Sequence, residues 1–355
     1  MEGLRGLAVL LVFFVHFASL SQPWHQYQGL AGALLQRLHQ VGNAGVDLFF
    51  VLSGYLIYGG LIDKQPSFWR YLQRRLWRIY PTFLAVLAIY LLISALLPQY
   101  SKLPAAAGAA AVYIVQNLLL LPGLFPVKPI IEVAWSLSYE MFFYLAMPAI
   151  IGALVLRRRS RTWRLGFFTL LWMGGLALAA VLAGPARLSL FIAGVLLYEV
   201  LRLRSLWPAH SAWAVLALLG CAAIMWLPMP GATLQSLRLL VLGLGFGLLC
   251  FVCFAQPAGA AGRLFSRTPL RWLGNMSYSY YLVHGLALHV FFAAVGRLLP
   301  PDGPGLAALA LLLPALAWTL LVAAVLFVCC ELPLSLRRKA PPAVLRAPGH
   351  DVRGG

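Results

Sequence analysis

The chain has 355 residues, of which 62% are hydrophobic and only 10% charged, with a mean hydropathy of +0.86. No water-soluble domain has that composition, which sets the chain among polytopic membrane proteins. A net charge of +18 would suit a nucleic-acid binder, but the placement of the basic residues excludes that class. Hydropathy predicts an all-α membrane bundle of ten spanning helices, at about 4–21, 43–62, 80–97, 135–156, 165–183, 187–201, 212–228, 237–255, 273–296 and 306–330. With the N-terminus in the cytoplasm, 21 of the 27 Lys and Arg fall on the inner side, ten of them in 63–79 and 157–164. The basic excess is then the positive-inside bias of a multi-pass protein, and both termini are expected in the cytoplasm. The apolar run 109–121, ending at Pro122, is too short to span and is expected to be re-entrant or interfacial. Residues 1–339 read as one integral domain without a soluble appendage. Residues 340–355 read as a disordered cytoplasmic tail containing Pro and Arg.

In the first predicted helix, Arg5 and His16 are the only ionisable residues. Eleven residues at about 100° each return to within roughly 20° of the same face, about 16 Å along the axis. An ionisable group at that depth faces protein or a wet cavity and marks a functional site by default.

Only nine carboxylates exist, and four lie within or at the ends of predicted helices: Asp47, Glu140, Glu199 and Glu331. Asp47 opens the second helix in Gly45-Val-Asp-Leu-Phe-Phe-Val-Leu-Ser-Gly54, with Ser53 and Gly54 near its middle, where small residues let helices approach. An acid there is also what the helix dipole favours. Arg74-Arg-Leu-Trp-Arg-Ile-Tyr-Pro81 places Arg75 and Arg78 one turn apart just before the third helix, a fork suited to phosphate or to lipid headgroups.

Glu140 follows in Trp135-Ser-Leu-Ser-Tyr-Glu140-Met-Phe-Phe-Tyr144. Trp135 and Tyr139 suit the interfacial belt, whereas a carboxylate one turn below them does not. A structural pair with Arg187 is its alternative role. Leu273-Gly-Asn-Met-Ser-Tyr-Ser-Tyr-Tyr-Leu-Val-His284 opens the ninth helix with a hydroxyl-rich face carrying Tyr278 and a second intramembrane histidine, His284. His289 faces differently and reads as packing. Glu331 closes the tenth helix beside Arg337 and Arg338, as a salt bridge or as chemistry. The five cysteines read as buried free thiols, and no metal-ligand spacing is present.

Taken together, these segments resemble the integral-membrane acyltransferase-3 family. The resemblance rests on Arg5-x10-His16, Gly45–Gly54, Arg75-x-x-Arg78-Ile-Tyr-Pro81, Trp135–Glu140 and Leu273–His284, in family order across essentially the whole chain. It departs at Met141, where members often carry a second polar residue, and at Leu332, where a basic residue is usual before Pro333. The resemblance implies transfer of an acyl group, often acetyl, from cytoplasmic acyl-CoA to a hydroxyl of a glycan or lipid-linked glycan. Acyl-CoA would be a co-substrate, with no permanently bound cofactor, in a bacterial inner membrane. By likeness, Arg75 and Arg78, with Arg74 beside them, would hold CoA phosphates, and Arg5 and His16 would belong to the catalytic centre.

A neutral His16 is a suitable general base for a hydroxyl, and a carboxylate on its other nitrogen would orient it. Glu140 and Asp47 are both candidates, and the sequence does not choose between them. Trp135, Ser53, Tyr278 and His284 are the candidate acceptor contacts. The competing reading is a proton-coupled transporter or flippase using His16, Asp47, Glu140 and His284 as a relay. The i, i+3 arginine fork, which a relay does not need, argues against it.

Overall fold

The computed structural model describes residues 1–182, 184–203, 210–299 and 306–336. The tail at 340–355, Arg204 and the expected Glu331 partners Arg337 and Arg338 lie outside them. Among the described residues the chain is helical and contains no β-strand.

Eight helical stretches are long and apolar enough to cross a bilayer, and Ala107–Leu118 and Ser211–Trp226 are shorter apolar helices. Helix α1 is Glu2–Leu20. The segment expected as a loop after it instead forms α2 (Gln22–His25) and α3 (Gly29–Gly42), the latter running almost directly into α4 (Gly45–Lys64). Helix α5 (Phe68–Leu96) begins about three turns before the predicted third span. Hydropathy marks where lipid surrounds a helix, not where the helix starts, and Arg70, Arg74, Arg75 and Arg78 occupy that basic first half. Pro81 lies inside α5, and two residues before it the carbonyl of Ile79 accepts from the Tyr278 hydroxyl of the ninth predicted span at 2.8 Å.

The run 109–121 forms α6 (Ala107–Leu118), whose 12 residues reach about 18 Å, short of a bilayer core. Helices α7 (Trp135–Ala153), α8 (Arg161–Leu182), α9 (Ser189–Leu201), α10 (Ser211–Trp226) and α11 (Gly231–Ala255) follow. The predicted ninth span is broken at Met276. Short helices α12 (Ala260–Phe265) and α13 (Thr268–Asn275) precede α14 (Ser277–Leu298). After α15 (Leu306–Ala310), α16 (Leu312–Leu326) continues as a π-helix over Phe327–Leu336 that contains Pro333.

Lipid tails are as apolar as leucine, so association of these helices rests on close packing more than on burial from water. Small residues supply it. A Cβ at Gly54 of α4 would overlap the Phe191 carbonyl oxygen of α9, and one at Gly194 of α9 would overlap that of Val51. The same holds where α1 meets α13, with Gly6 against the Leu270 carbonyl and Gly274 against that of Glu2. Between α4, α7 and α9, Phe191 stacks on Phe50 and on Phe143 with centroids 4.6 Å apart in each case.

Buried Glu199 is a structural charge. Arg164 grips it with bonds of 2.6 and 3.0 Å, and Tyr58 donates to it at 2.5 Å. Glu331 is also buried and accepts from the Ser279 backbone N–H at 3.0 Å and hydroxyl at 2.5 Å, at the positive end of α14. Cys221, Cys250 and Cys253 are buried as expected, whereas Cys329 on the π-helix is exposed, and all five are free.

Candidate active site

Helices α1, α4, α5, α7 and α14 enclose a cavity of about 260 Å³. Arg5 enters it from α1, Arg75 and Arg78 from α5, Ser53 from α4, Ser136 and Glu140 from α7, and Tyr278 and Tyr281 from α14. Because Arg75 and Arg78 sit inside a helix and not before one, their one-turn spacing holds as geometry and both guanidiniums reach the same cavity. Arg75 is set between two rings, 5.4 Å from the Tyr71 centroid and 5.2 Å from that of Tyr144. Tyr71 is one turn before Arg75 on α5, and Tyr144 arrives from α7. With a ring on either side, the guanidinium is held in place where it lines the cavity.

Glu140 is the only carboxylate lining this cavity among the described residues. It accepts a 2.5 Å hydrogen bond from Tyr144, one turn later on α7, and a 3.4 Å bond from Ser53. Arg5 interacts electrostatically with Arg78, Glu140 and Glu331. Three guanidiniums face one carboxylate across the lining, which leaves the space positive and suited to a phosphate-bearing ligand. At the wall opposite the arginines, Ser136 and Tyr281 share a 2.7 Å hydrogen bond.

His16 lies behind this wall. It is half-buried and meets the buried His284 with centroids 4.8 Å apart and planes at 70°. His284 Nδ1 is 3.0 Å from the carbonyl of Tyr280 and 2.9 Å from that of Tyr281, so Nδ1 carries the proton. Its Nε2 is then a lone pair, with no hydrogen-bond partner among the described residues. Tyr281 thus joins the two features, its ring on the cavity and its carbonyl on His284.

Several expectations require correction. Neither Glu140 nor Asp47 hydrogen-bonds His16, whose ring neighbour is His284. Asp47 lies on a different face of α4 from Ser53, in a second cavity, and Arg187 pairs with it at 3.3 Å instead of with Glu140. A relay through His16, Asp47, Glu140 and His284 is therefore not assembled as one chain of groups. Arg74 turns back to donate to the Arg70 carbonyl at 3.2 Å and does not line the arginine cavity. Trp135 also stays outside, packed on Phe50 and Tyr139 with Arg187 over its ring at 5.4 Å. Arg5, Ser53, Arg75, Arg78, Glu140 and Tyr278 all line the arginine cavity. The roles of Tyr71 and Tyr144 were not foreseen, although each stands four residues from the group it serves, a spacing the sequence does display.

Fold and site define a multi-pass helical membrane protein with a basic intramembrane cavity backed by a histidine pair. The family described as "Acyltransferase domain" matches residues 1–331, so the chain belongs to this integral-membrane acyltransferase family. Among curated proteins it is 27% identical over 322 residues to "Peptidoglycan O-acetyltransferase OatA" of Listeria monocytogenes, covering 80% of this chain and 48% of that protein. It is 24% identical over 318 residues to "O-acetyltransferase OatA" of Staphylococcus aureus, covering 80% of this chain and 49% of the relative. To "Acyltransferase MdmB" of Streptomyces mycarofaciens it is 32% identical over 154 residues, 42% of this chain and 38% of the relative. The match thus spans less than half the length of each of these relatives. No solved structure matches the chain.

Proposed function

We propose that this protein transfers an acyl group, acetyl in the simplest case, from cytoplasmic acyl-CoA to a hydroxyl of a glycan or lipid-linked glycan. The observation that carries this reading is the convergence of Arg5, Arg75 and Arg78 on one cavity, with Arg75 set between the rings of Tyr71 and Tyr144. Guanidiniums gathered in this way suit bidentate contacts to phosphate. The family and its O-acetyltransferase relatives supply the reaction class. In this reading the arginine end faces the cytoplasm of a bacterial inner membrane, as the positive-inside bias requires.

Each group then has a part in the chemistry. Arg75 and Arg78 hold CoA phosphates, and Arg5 joins them at the donor end, about three helical turns from His16. His16 removes the acceptor hydroxyl proton as that oxygen attacks the thioester carbonyl; the C–S bond breaks and the proton passes to the departing thiolate. His284 stands behind His16 as a fixed lone pair. Glu140, held by Tyr144 and Ser53, tunes the charge of the arginine end.

The test is thermal unfolding of purified protein with acetyl-CoA. A ligand that binds only the folded state at 100 times its Kd adds about 2.7 kcal/mol. A rise in Tm for the intact chain, lost in Arg75→Ala/Arg78→Ala, is the expected result. Absence of a rise with acetyl-, succinyl- and longer acyl-CoA would sink the reading.

A further inference from the structure

A second cavity, of about 330 Å³, opens beside the N-terminal end of α4, lined by Asp47, His39 and Gln40 and by Arg187 of the α8–α9 connection and Arg238 of α11. It lies on another face of α4 from the arginine cavity, since Val46, Phe49 and Ser53 line that one and Asp47 lines this one. Its volume is at the lower end of the range for ligand pockets, about 300–1,000 Å³, and fits a single small ring.

What distinguishes it is its unused polar groups. Asp47 is 1% exposed, and neither of its carboxylate oxygens has a hydrogen-bond donor, the 3.3 Å approach of Arg187 being a charge contact only. Buried carboxylate oxygens ordinarily find donors. Arg187 is spread over the Trp135 ring. Arg238 spends its terminal nitrogens on the Gln235 side chain at 3.3 Å and the Leu227 carbonyl at 2.7 Å, leaving its buried Nε–H without a partner. The unspent set is therefore the two Asp47 oxygens beside the buried Arg238 Nε–H, with the guanidinium N–H groups of Arg187 at its edge.

That set selects a ligand class. An anion meets the buried Asp47 charge and has nothing to donate to its two oxygens. A metal ion or an ammonium meets two guanidiniums. A neutral diol fits: one hydroxyl donates to Asp47, and its neighbour accepts from Arg238 Nε–H and donates to the second carboxylate oxygen.

We propose that this cavity binds a neutral, polyhydroxylated ring, a sugar, with Asp47 as its hydroxyl acceptor. Binding follows from the cavity alone. Its biological role rests on the acyltransferase reading, in which this ring is a part of the acceptor other than the reacting hydroxyl.

The experiment uses the intact protein in lipid nanodiscs free of sugar detergents, with Tm followed against maltose, N,N′-diacetylchitobiose and glucuronate. A neutral sugar is expected to raise Tm in the intact chain and in Arg75→Ala/Arg78→Ala, but not in Asp47→Asn. Should Asp47→Asn fail to fold, Arg238→Gln carries the test and is expected to weaken the same sugar about tenfold, the loss of one charge-assisted hydrogen bond. No rise with either neutral sugar, an undiminished rise in these variants, or tighter binding of glucuronate than of the neutral sugars overturns the proposal. Acetyl-CoA is titrated in parallel. A sugar response without an acetyl-CoA response leaves the site standing and removes the acyltransferase reading; the converse does the reverse.

Discussion

The imidazoles of His16 and His284 meet nearly perpendicular, 4.8 Å between centroids, where α1 and α14 pack together. Two backbone carbonyls fix the His284 proton on Nδ1, so His284 presents a lone pair with no donor of its own to satisfy. That lone pair has no hydrogen-bond partner among the described residues, so His284 meets His16 through the ring contact. His16→Ala is expected to lower kcat by about 10² or more, the usual share of general base catalysis, while the acetyl-CoA Tm shift persists. His284→Gln is expected to lower kcat less and to alter its pH profile. An intact rate in His16→Ala assigns the base elsewhere, with Glu140 the next candidate.

Arg75 separates charge from stacking. Arg75→Lys keeps the cation but gives up the plane set between Tyr71 and Tyr144. The expected outcome is a KM for the acyl donor raised about tenfold or more in Arg75→Lys and further in Arg75→Ala, from loss of charge-assisted hydrogen bonds of about 1.5–3 kcal/mol. Initial rates against donor concentration check it. Equal donor KM in Arg75→Lys and the intact chain would remove the stacking from the argument.

Gly54 and Gly60 share one helix and predict opposite results. A Cβ at Gly54 drives into the Phe191 carbonyl, which is backbone and cannot rotate away, whereas one at Gly60 meets nothing within 4 Å. Gly54→Ala should cost about 1–3 kcal/mol and lower Tm by separating α4 from α9. Gly60→Ala should be neutral or raise Tm, since alanine is favoured over glycine inside a helix by up to about 1 kcal/mol.

The Glu199 cluster is expected to matter for stability alone. Removing the carboxylate in Glu199→Ala strands Arg164, only 12% exposed, without its bidentate partner. Breaking a buried pair from one side costs about 3–5 kcal/mol. A large fall in Tm with unchanged donor KM in the folded fraction is the anticipated pattern, and a shift in donor KM would tie this cluster to the cavity.

His25 should make the turn after α1 sensitive to acid. Its Nδ1 accepts the Tyr27 backbone N–H at 3.0 Å and its Nε2 lies 3.3 Å from the Ala18 carbonyl, an arrangement of the neutral ring. Burial lowers its pKa from the ordinary 6.5, so below that pH the unfolded chain takes up a proton that the folded one resists. The contribution is full above about pH 6.5 and is lost as pH falls through that value toward the lower folded pKa. Tm between pH 7.5 and 5.5 should fall more steeply for the intact protein than for His25→Gln. Parallel curves would exclude His25 as the cause.

The sequence by itself determined the class of fold and most of the arginine cavity. Apolar run lengths set the spans, the positive-inside bias set an expected orientation, and helical spacing put Arg75 with Arg78. Those signals are local, since each depends on residues within a few turns of one helix. Only the tertiary structure decided which groups face each other across helices. Asp47 and Glu140 looked interchangeable as partners of His16 because both are acids at similar depth. The rotation of α4 sends Asp47 toward Arg187 of the α8–α9 connection and toward α11, while Glu140 of α7 turns to the arginines, and His16 finds His284 instead. The facing of a helix is fixed by where its neighbours can come closest. Here that is set by the glycines at 54, 194, 6 and 274, whose effect is felt only once two backbones touch.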